Sequence, residues 1–212
     1  HCIIIIFENS KEKSMNTEKI KAVIETEIVC SADGKHTYEV IKRLEGIEGE
    51  KGCLISLYST RDKTNIFSCD STLNHLVSHM QELGLSELRI INLFSIVVDG
   101  KLSAKGLQVD VDNLQYIESI MSDKSFESYK FIIAWGNSMA TSFACQRTKA
   151  EVLNIFKRHN PKAKAFHITT SNDTINVDFA HPLFLGIRAS SDKWKLKEIT
   201  ITPQMLEIPE KA

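Results

Sequence analysis

Cys53-Leu54-Ile55-Ser56-Leu57 is the stretch from which the fold is read. The run is too short for a helix and lacks its 3.6-residue period. It reads instead as a strand buried on both faces. Working outward, Asp70 or Ser71 caps a helix running to Leu83, with Leu73, Leu76, Val77 and Met80 on one side and Gly84 as its stop. A second buried strand, Leu88 to Phe94, comes next. After a loop from Asp99 to Asp110, a helix from about Asp112 to Met121 turns Leu114, Ile117, Ile120 and Met121 inward. Lys130 to Trp135 reads as a third strand, Thr148 to His159 as an amphipathic helix ended by Pro161, and Ala163 to Ile168 as a fourth strand.

Strands alternating with amphipathic helices predict an α/β fold. The expected form is a three-layer sandwich with a mainly parallel central sheet. Upstream, Ala22 to Ser31 alternates like a strand and Asp33-Gly34 marks a turn. His36 to Leu44 fits a second strand or a short helix, and Gly46 to Gly52 a polar loop. Trp194 to Ile201 fits a final strand or a short helix, before Pro203 and Pro209.

The 212 residues suffice for one sizeable α/β domain. We expect residues 1–14, an apolar run and then a polar one before Met15, to be an extension, and residues 15–212 to form the single domain. A net charge of −1 gives no global electrostatic case for nucleic acid. No apolar run is long enough to span a bilayer. The five cysteines are scattered and lack a Cys-x-x-Cys pair, so reduced thiols in a cytoplasm are expected, with no metal and no cofactor.

Candidate chemistry concentrates at strand ends, where ligands of open α/β sheets collect. Ala180-His181-Pro182-Leu183-Phe184-Leu185-Gly186 holds an imidazole at what reads as the mouth of a loop. Proline fixes its own φ and extends the residue before it. Asn92 ends an apolar stretch, and its amide offers both a donor and an acceptor, which suits the edge of a base; an asparagine that merely turns the strand end is the simpler reading. Gly136, after Trp135, permits close backbone approach. Trp135 itself reads as core, and Asn137 as a cap for the next segment of the chain. Lys157, Arg158, Lys162, Lys164 and Arg188 form a late basic group, either simply solvated or a phosphate-tracking stripe.

Four segments in order, Ile55-Ser56-Leu57-Tyr58-Ser59-Thr60-Arg61-Asp62, Ile90-Ile91-Asn92-Leu93-Phe94, Ile132-Ile133-Ala134-Trp135-Gly136-Asn137 and His181-Pro182, resemble the bacterial and phage family of unknown function DUF1643. That family reads Leu-Asn-Pro-Ser-Thr-Ala-Asp, Asn-Leu-Phe, Ala-Trp-Gly and His-Pro-Leu-Tyr-Leu. The resemblance covers His36 to Arg188. The set is similar, more distantly, to the uracil-DNA glycosylase superfamily. There a first loop positions the attacking water, an Asn reads the base, and a late His-Pro loop contacts the flipped base and carries an apolar wedge. The resemblance implies a ligand pocket built from Leu57, Tyr58, Ser59, Thr60, Asp62, Phe67, Asn92 and His181. In it Phe67 stacks on the base, an interaction worth about 1–3 kcal/mol, with a loop aromatic packed on the core as the plainer alternative. Phe184 and Leu185 are the implied wedge; packing on the core is the plainer alternative.

One departure bears on catalysis. The family's Asn-Pro is Leu57-Tyr58 here. Leucine has no acceptor and no exchangeable proton, so the water-positioning role cannot be filled at that place. The expectation is therefore a glycosylase-like protein without glycosylase activity. Its partner would be a nucleobase, DNA bound weakly and with strong salt dependence, or a DNA-mimicking inhibitor of uracil-DNA glycosylases. The alternative is an enzyme acting on a nucleoside, nucleotide or modified base through Ser59, Thr60, Asp62, Asn92 and His181.

Overall fold

A computed structural model describes residues 21–59, 70–98, 100–172 and 177–210. Residues 1–14, Thr60, Asp62 and Phe67, on which expectations were placed, lie outside the described residues.

The strand predicted from Cys53 is longer than its apolar core. It runs Glu50–Ser59 (β3) and lies at the centre of a seven-stranded sheet. The other strands are Ile24–Cys30 (β1), Thr37–Leu44 (β2), Leu85–Val97 (β4), Tyr129–Ile133 (β5), Ala165–Thr170 (β6) and Trp194–Ile199 (β7). Their order is β1-β2-β4-β3-β5-β6-β7. The four middle strands β4-β3-β5-β6 are mutually parallel. β1 on β2, β2 on β4, and β7 on β6 are antiparallel.

The sheet is therefore mixed, which corrects the expectation of a mainly parallel one. The physical reason lies at both ends of the chain. Asp33-Gly34 closes a hairpin, β1–β2, which adds to one side. A short return after the last helix against the sheet adds β7 to the other. The β1–β2 turn is too short for the crossover that a parallel pair requires, whereas β7 follows α4 and enters at the sheet edge running against β6. The expected loop at Gly46 to Gly52 also loses its last residues to β3. Glu50 and Lys51 pair with β4 while their side chains stay exposed.

Helices cover both faces. Ser71–His79 (α1) and Pro182–Arg188 (α4) pack over Leu54, Ile90, Ile132 and Ile168. Val111–Ser122 (α2) and Phe143–His159 (α3) pack over Cys53, Ile55, Leu57, Ile91 and Ile133. Successive residues of β3 thus enter two separate cores, as the two-residue period of a strand requires. A short helix, Pro203–Leu206 (α5), lies against α3.

The helix ends obey side-chain capping. Asp70 accepts the Leu73 N–H at 2.8 Å, and Asp110 the Asn113 N–H at 3.1 Å. α3 begins five residues before Thr148 because Ser142, not Asn137, caps it by accepting from the Cys145 N–H. Among the described residues no helix is long and apolar enough to cross a membrane.

Candidate functional site

β5 stops at Ile133, paired with Ile55, while β3 and β4 run on together. The chain leaves the sheet at Ala134, whose N–H still reaches the Ile55 carbonyl at 2.9 Å. A crevice opens where the fifth strand ends, beside Ser56. In the parallel register Ser56 lies directly opposite Asn92, so both side chains stand on the α1/α4 face. Val40, paired with Ile90, extends the floor. The N-terminus of α1 and the start of α4 form the walls, with Lys101 and Met139 also lining the space. The cavity measures about 770 Å³.

His181 does not open a loop. It caps α4, with Pro182 at the first helical position, where its missing N–H costs nothing. Its Nδ1 accepts the Leu183 N–H at 3.3 Å. The proton of the neutral ring therefore sits on Nε2, which donates to Ser56 Oγ at 3.1 Å. Burial pushes the imidazole below its ordinary pKa, against a smaller opposing pull from the Asp70 carboxylate. The ring is thus a neutral donor with a fixed tautomer. It does not accept from Ser56 and cannot draw off its proton. The Ser56 hydroxyl keeps its own proton for a ligand.

Asn92 is 5 % exposed. Its carbonyl accepts from Asn113 Nδ2 at 2.8 Å, and Leu93's accepts from the same nitrogen at 3.1 Å. α2 thus holds the strand at the site from behind. Ser95 strengthens the hold, since its N–H and its hydroxyl both donate to Asp110 Oδ2, at 2.9 and 2.7 Å. The Asn92 side-chain amide itself has no hydrogen-bond partner among the described residues, although it lines the cavity. Its donor and acceptor therefore face the cavity rather than the protein. A ligand edge that supplies one acceptor and one donor would pair with both.

Backbone strain falls on one residue of the lining and on one just upstream of His181. The two non-glycine residues with left-handed φ among the described ones are Met139, at 62°, and Phe179, at 58°. Gly136 has φ of 66°; its N–H donates to the Phe179 carbonyl at 2.8 Å, and a Cβ on it would stand 3.0 Å from His181 Cβ. The glycine predicted to allow close approach does so, against the histidine.

Of the expected pocket residues, the structure brings together Leu57, Tyr58, Ser59, Asn92 and His181 along one cavity. The Leu57 side chain belongs to the core under α2 and α3 and is 2 % exposed. Leu185 is fully buried between α4 and α1, so it is no wedge; the turn expected at a loop tip is the buried face of a helix. Phe184 remains exposed on α4. The basic group does not border the cavity. Lys157, Arg158, Lys162 and Lys164 lie around the end of α3 and the start of β6, at the amino ends of the parallel strands. Arg158 pairs with Glu118 at 2.8 Å and Lys164 with Glu198 at 2.7 Å. Arg188 closes the far end of α4.

Ser56 and Asp70 were missed as site residues. Ser56 was signalled by being the one polar residue inside the apolar run; Asp70 was read only as a cap. Among the described residues no group of three or more His, Cys, Asp or Glu side chains could hold a metal ion.

A family model described as "Protein of unknown function (DUF1643)" matches residues 40–183, and the chain belongs to that family. No curated protein and no solved structure matches it.

Proposed function

We propose that this DUF1643 member binds a nucleobase, free or as part of a nucleoside or nucleotide, between Ser56, Asn92 and His181, and does not excise uracil. The observation that carries the reading is the unpartnered Asn92 amide in a cavity of a size that suits a small molecule. Every base presents a donor beside an acceptor on its pairing edge, and an amide answers both. The Ser56 proton, left free because His181 Nε2–H donates to the serine oxygen, adds a neutral polar contact, as an uncharged ring needs. The uracil-DNA glycosylase resemblance is compatible with this reading, since Leu57, Tyr58 and Ser59 of its first loop, its Asn and its His line one cavity.

Two observations favour a base over duplex DNA. Lys101 is the one lysine or arginine lining the cavity among the described residues, and the basic group stands at the other end of the sheet. DNA affinity, if present, would come from few phosphate contacts; it would be weak and fall with salt by a log–log slope of about −0.9 per phosphate neutralised. A DNA-mimicking inhibitor would find the exposed Phe184 but no apolar Leu185 beside it.

The test is calorimetric titration with uracil, cytosine, adenine and guanine and their nucleosides. An excision assay on uracil-containing single and double strands runs in parallel. We expect saturable binding of at least one base, weakened tenfold or more in Asn92→Leu, which keeps the volume and removes both polar atoms; one such hydrogen bond to a neutral group is worth about 0.5–1.5 kcal/mol and two add up to that factor. No binding of any base, or unchanged affinity in Asn92→Leu, overturns the reading. Robust uracil release overturns the claim that Leu57 has cost the activity, and turnover of a nucleoside would establish the enzyme reading instead.

A further inference from the structure

We propose that a second cavity, on the opposite face of the sheet, binds an anionic ligand with a flat apolar body, with Lys149 as its counter-ion. The proposal is independent of the nucleobase reading. This cavity, of about 480 Å³, lies between α3 and the segment around α5. Trp135, Leu153, Phe179 and Met205 give it an apolar wall continuous with the core on that side.

Lys149 stands in that wall. Its ammonium donates to the Gly136 carbonyl at 3.2 Å and lies 5.4 Å from the centre of the Trp135 ring. No carboxylate reaches it within 4.0 Å among the described residues. An ammonium carries three donors, and one is used here. Half-buried charges are ordinarily paired, because desolvation without a partner is costly. Burial accordingly pulls the Lys149 amine below its ordinary pKa, a thiol at Cys145 being the one group that opposes it. The nearest group of opposite sign in the lining is Glu207, exposed at the mouth. A ligand carboxylate, sulfonate or phosphate would complete the ammonium's hydrogen bonds. An aromatic body would take the Trp135 and Phe179 surfaces.

The test uses a matched pair of probes: 8-anilinonaphthalene-1-sulfonate and N-phenyl-1-naphthylamine, the same ring system without the sulfonate. Fluorescence titration gives affinity, and the indole N–H resonance of Trp135 reports location; the second tryptophan, Trp194, is buried in the other core. We expect one saturable sulfonate site that shifts Trp135, at least about tenfold tighter than the neutral probe, which is the factor for ~1.4 kcal/mol. Lys149→Met should erase that preference while leaving the neutral probe unchanged. Glu207→Gln removes a like charge from the mouth and should tighten the sulfonate by about two- to threefold at low salt, a gain lost in high salt. Equal affinity for the two probes, an unmoved Trp135 signal, or sulfonate affinity unaffected by Lys149→Met overturns the proposal. Should Lys149→Met fail to fold, the probe pair on the native chain and Glu207→Gln still decide it.

Discussion

Gly136→Ala should loosen the Ser56–His181 pair and weaken the fold by an amount that can be worked out from its surroundings. Gly136 sits at φ 66°. Placing a Cβ-bearing residue in the left-handed region costs about 1–2 kcal/mol, from which about 0.4–1 kcal/mol returns because the unfolded chain loses freedom. Gly84 lies at φ 71° and a Cβ there would meet nothing within 4 Å. Gly84→Ala thus measures the backbone cost alone. At Gly136 the new methyl also arrives 3.0 Å from His181 Cβ. That ring cannot retreat freely: Nε2 is bonded to Ser56, Nδ1 to the Leu183 N–H, and Gly136 itself to Phe179. Overpacking of this kind costs about 1–3 kcal/mol. Urea unfolding of the two variants, at matched m-values, should show Gly136→Ala the less stable by about 1–3 kcal/mol, the steric part alone. The His181 ring nitrogen shifts should move in Gly136→Ala and stay put in Gly84→Ala. Losses within about 0.5 kcal/mol of each other, the scatter of ordinary surface changes, would refute the packing argument.

The pH dependence of stability has a defined sign. Burial lowers the pKa of both His181 and His167, so below the unfolded value of about 6.5 the unfolded chain takes up protons that the folded chain refuses, and stability falls as pH drops through that region. The urea midpoint should decrease from pH 7.5 to 5.5, and His181→Asn, which keeps a capping acceptor, should flatten the slope; a flat profile in the native chain would contradict the burial of both rings. On the β2–β4 side, Glu39 is 2 % exposed, accepts from Arg89 at Oε1 and Oε2, and takes the Tyr116 hydroxyl at 2.9 Å. Glu39→Gln leaves a buried guanidinium unpaired and should cost about 3 kcal/mol, with most of that recovered in Glu39→Leu/Arg89→Met; a single-variant loss under 1 kcal/mol, read by urea unfolding, would show the pair to be solvated.

The sequence showed the central strands well because their apolar runs are continuous, as burial on both faces demands. Each fell within a residue or a few of its true ends. The boundaries missed were those where the ladder runs on past the continuous apolar run. Glu50 and Lys51 join β3 with exposed side chains, and β4 runs from Leu85 through Val97 rather than Leu88 to Phe94. The helix α4 was invisible for a different reason. It is seven residues long, opens on Pro182 and contains Gly186, so propensity argues against it. Packing overrides that preference. A Cβ at Gly186 would fall 2.2 Å from the His75 ring, so the glycine is what lets α4 lie against α1. The same short helix turned Leu185 inward and left Phe184 outside, which periodicity over two turns could not have told. Asn92 and His181 were legible as chemistry, whereas the identity of the hydrogen bonds they make, or leave unmade, depends on register with Ser56 and on where β5 stops.

The alternation of β3 also decides what the site can do. Ser56 faces the cavity beside Asn92, while the Leu57 side chain enters the opposite core with Ile55, Leu93 and Phe131. A polar group introduced by Leu57→Asn would be desolvated among hydrocarbon, at the cost of an unpaired buried amide. A catalytic water would instead need a group on the cavity side. Among the described residues, Ser56 is engaged by a histidine whose tautomer makes it a donor, and Asp70 accepts the Leu73 N–H at the cap of α1. As a donor to Ser56, His181 does not draw off the serine's proton. In the reading proposed above, a neutral ring is held by its edge at Ser56 and Asn92, on this side of the strand.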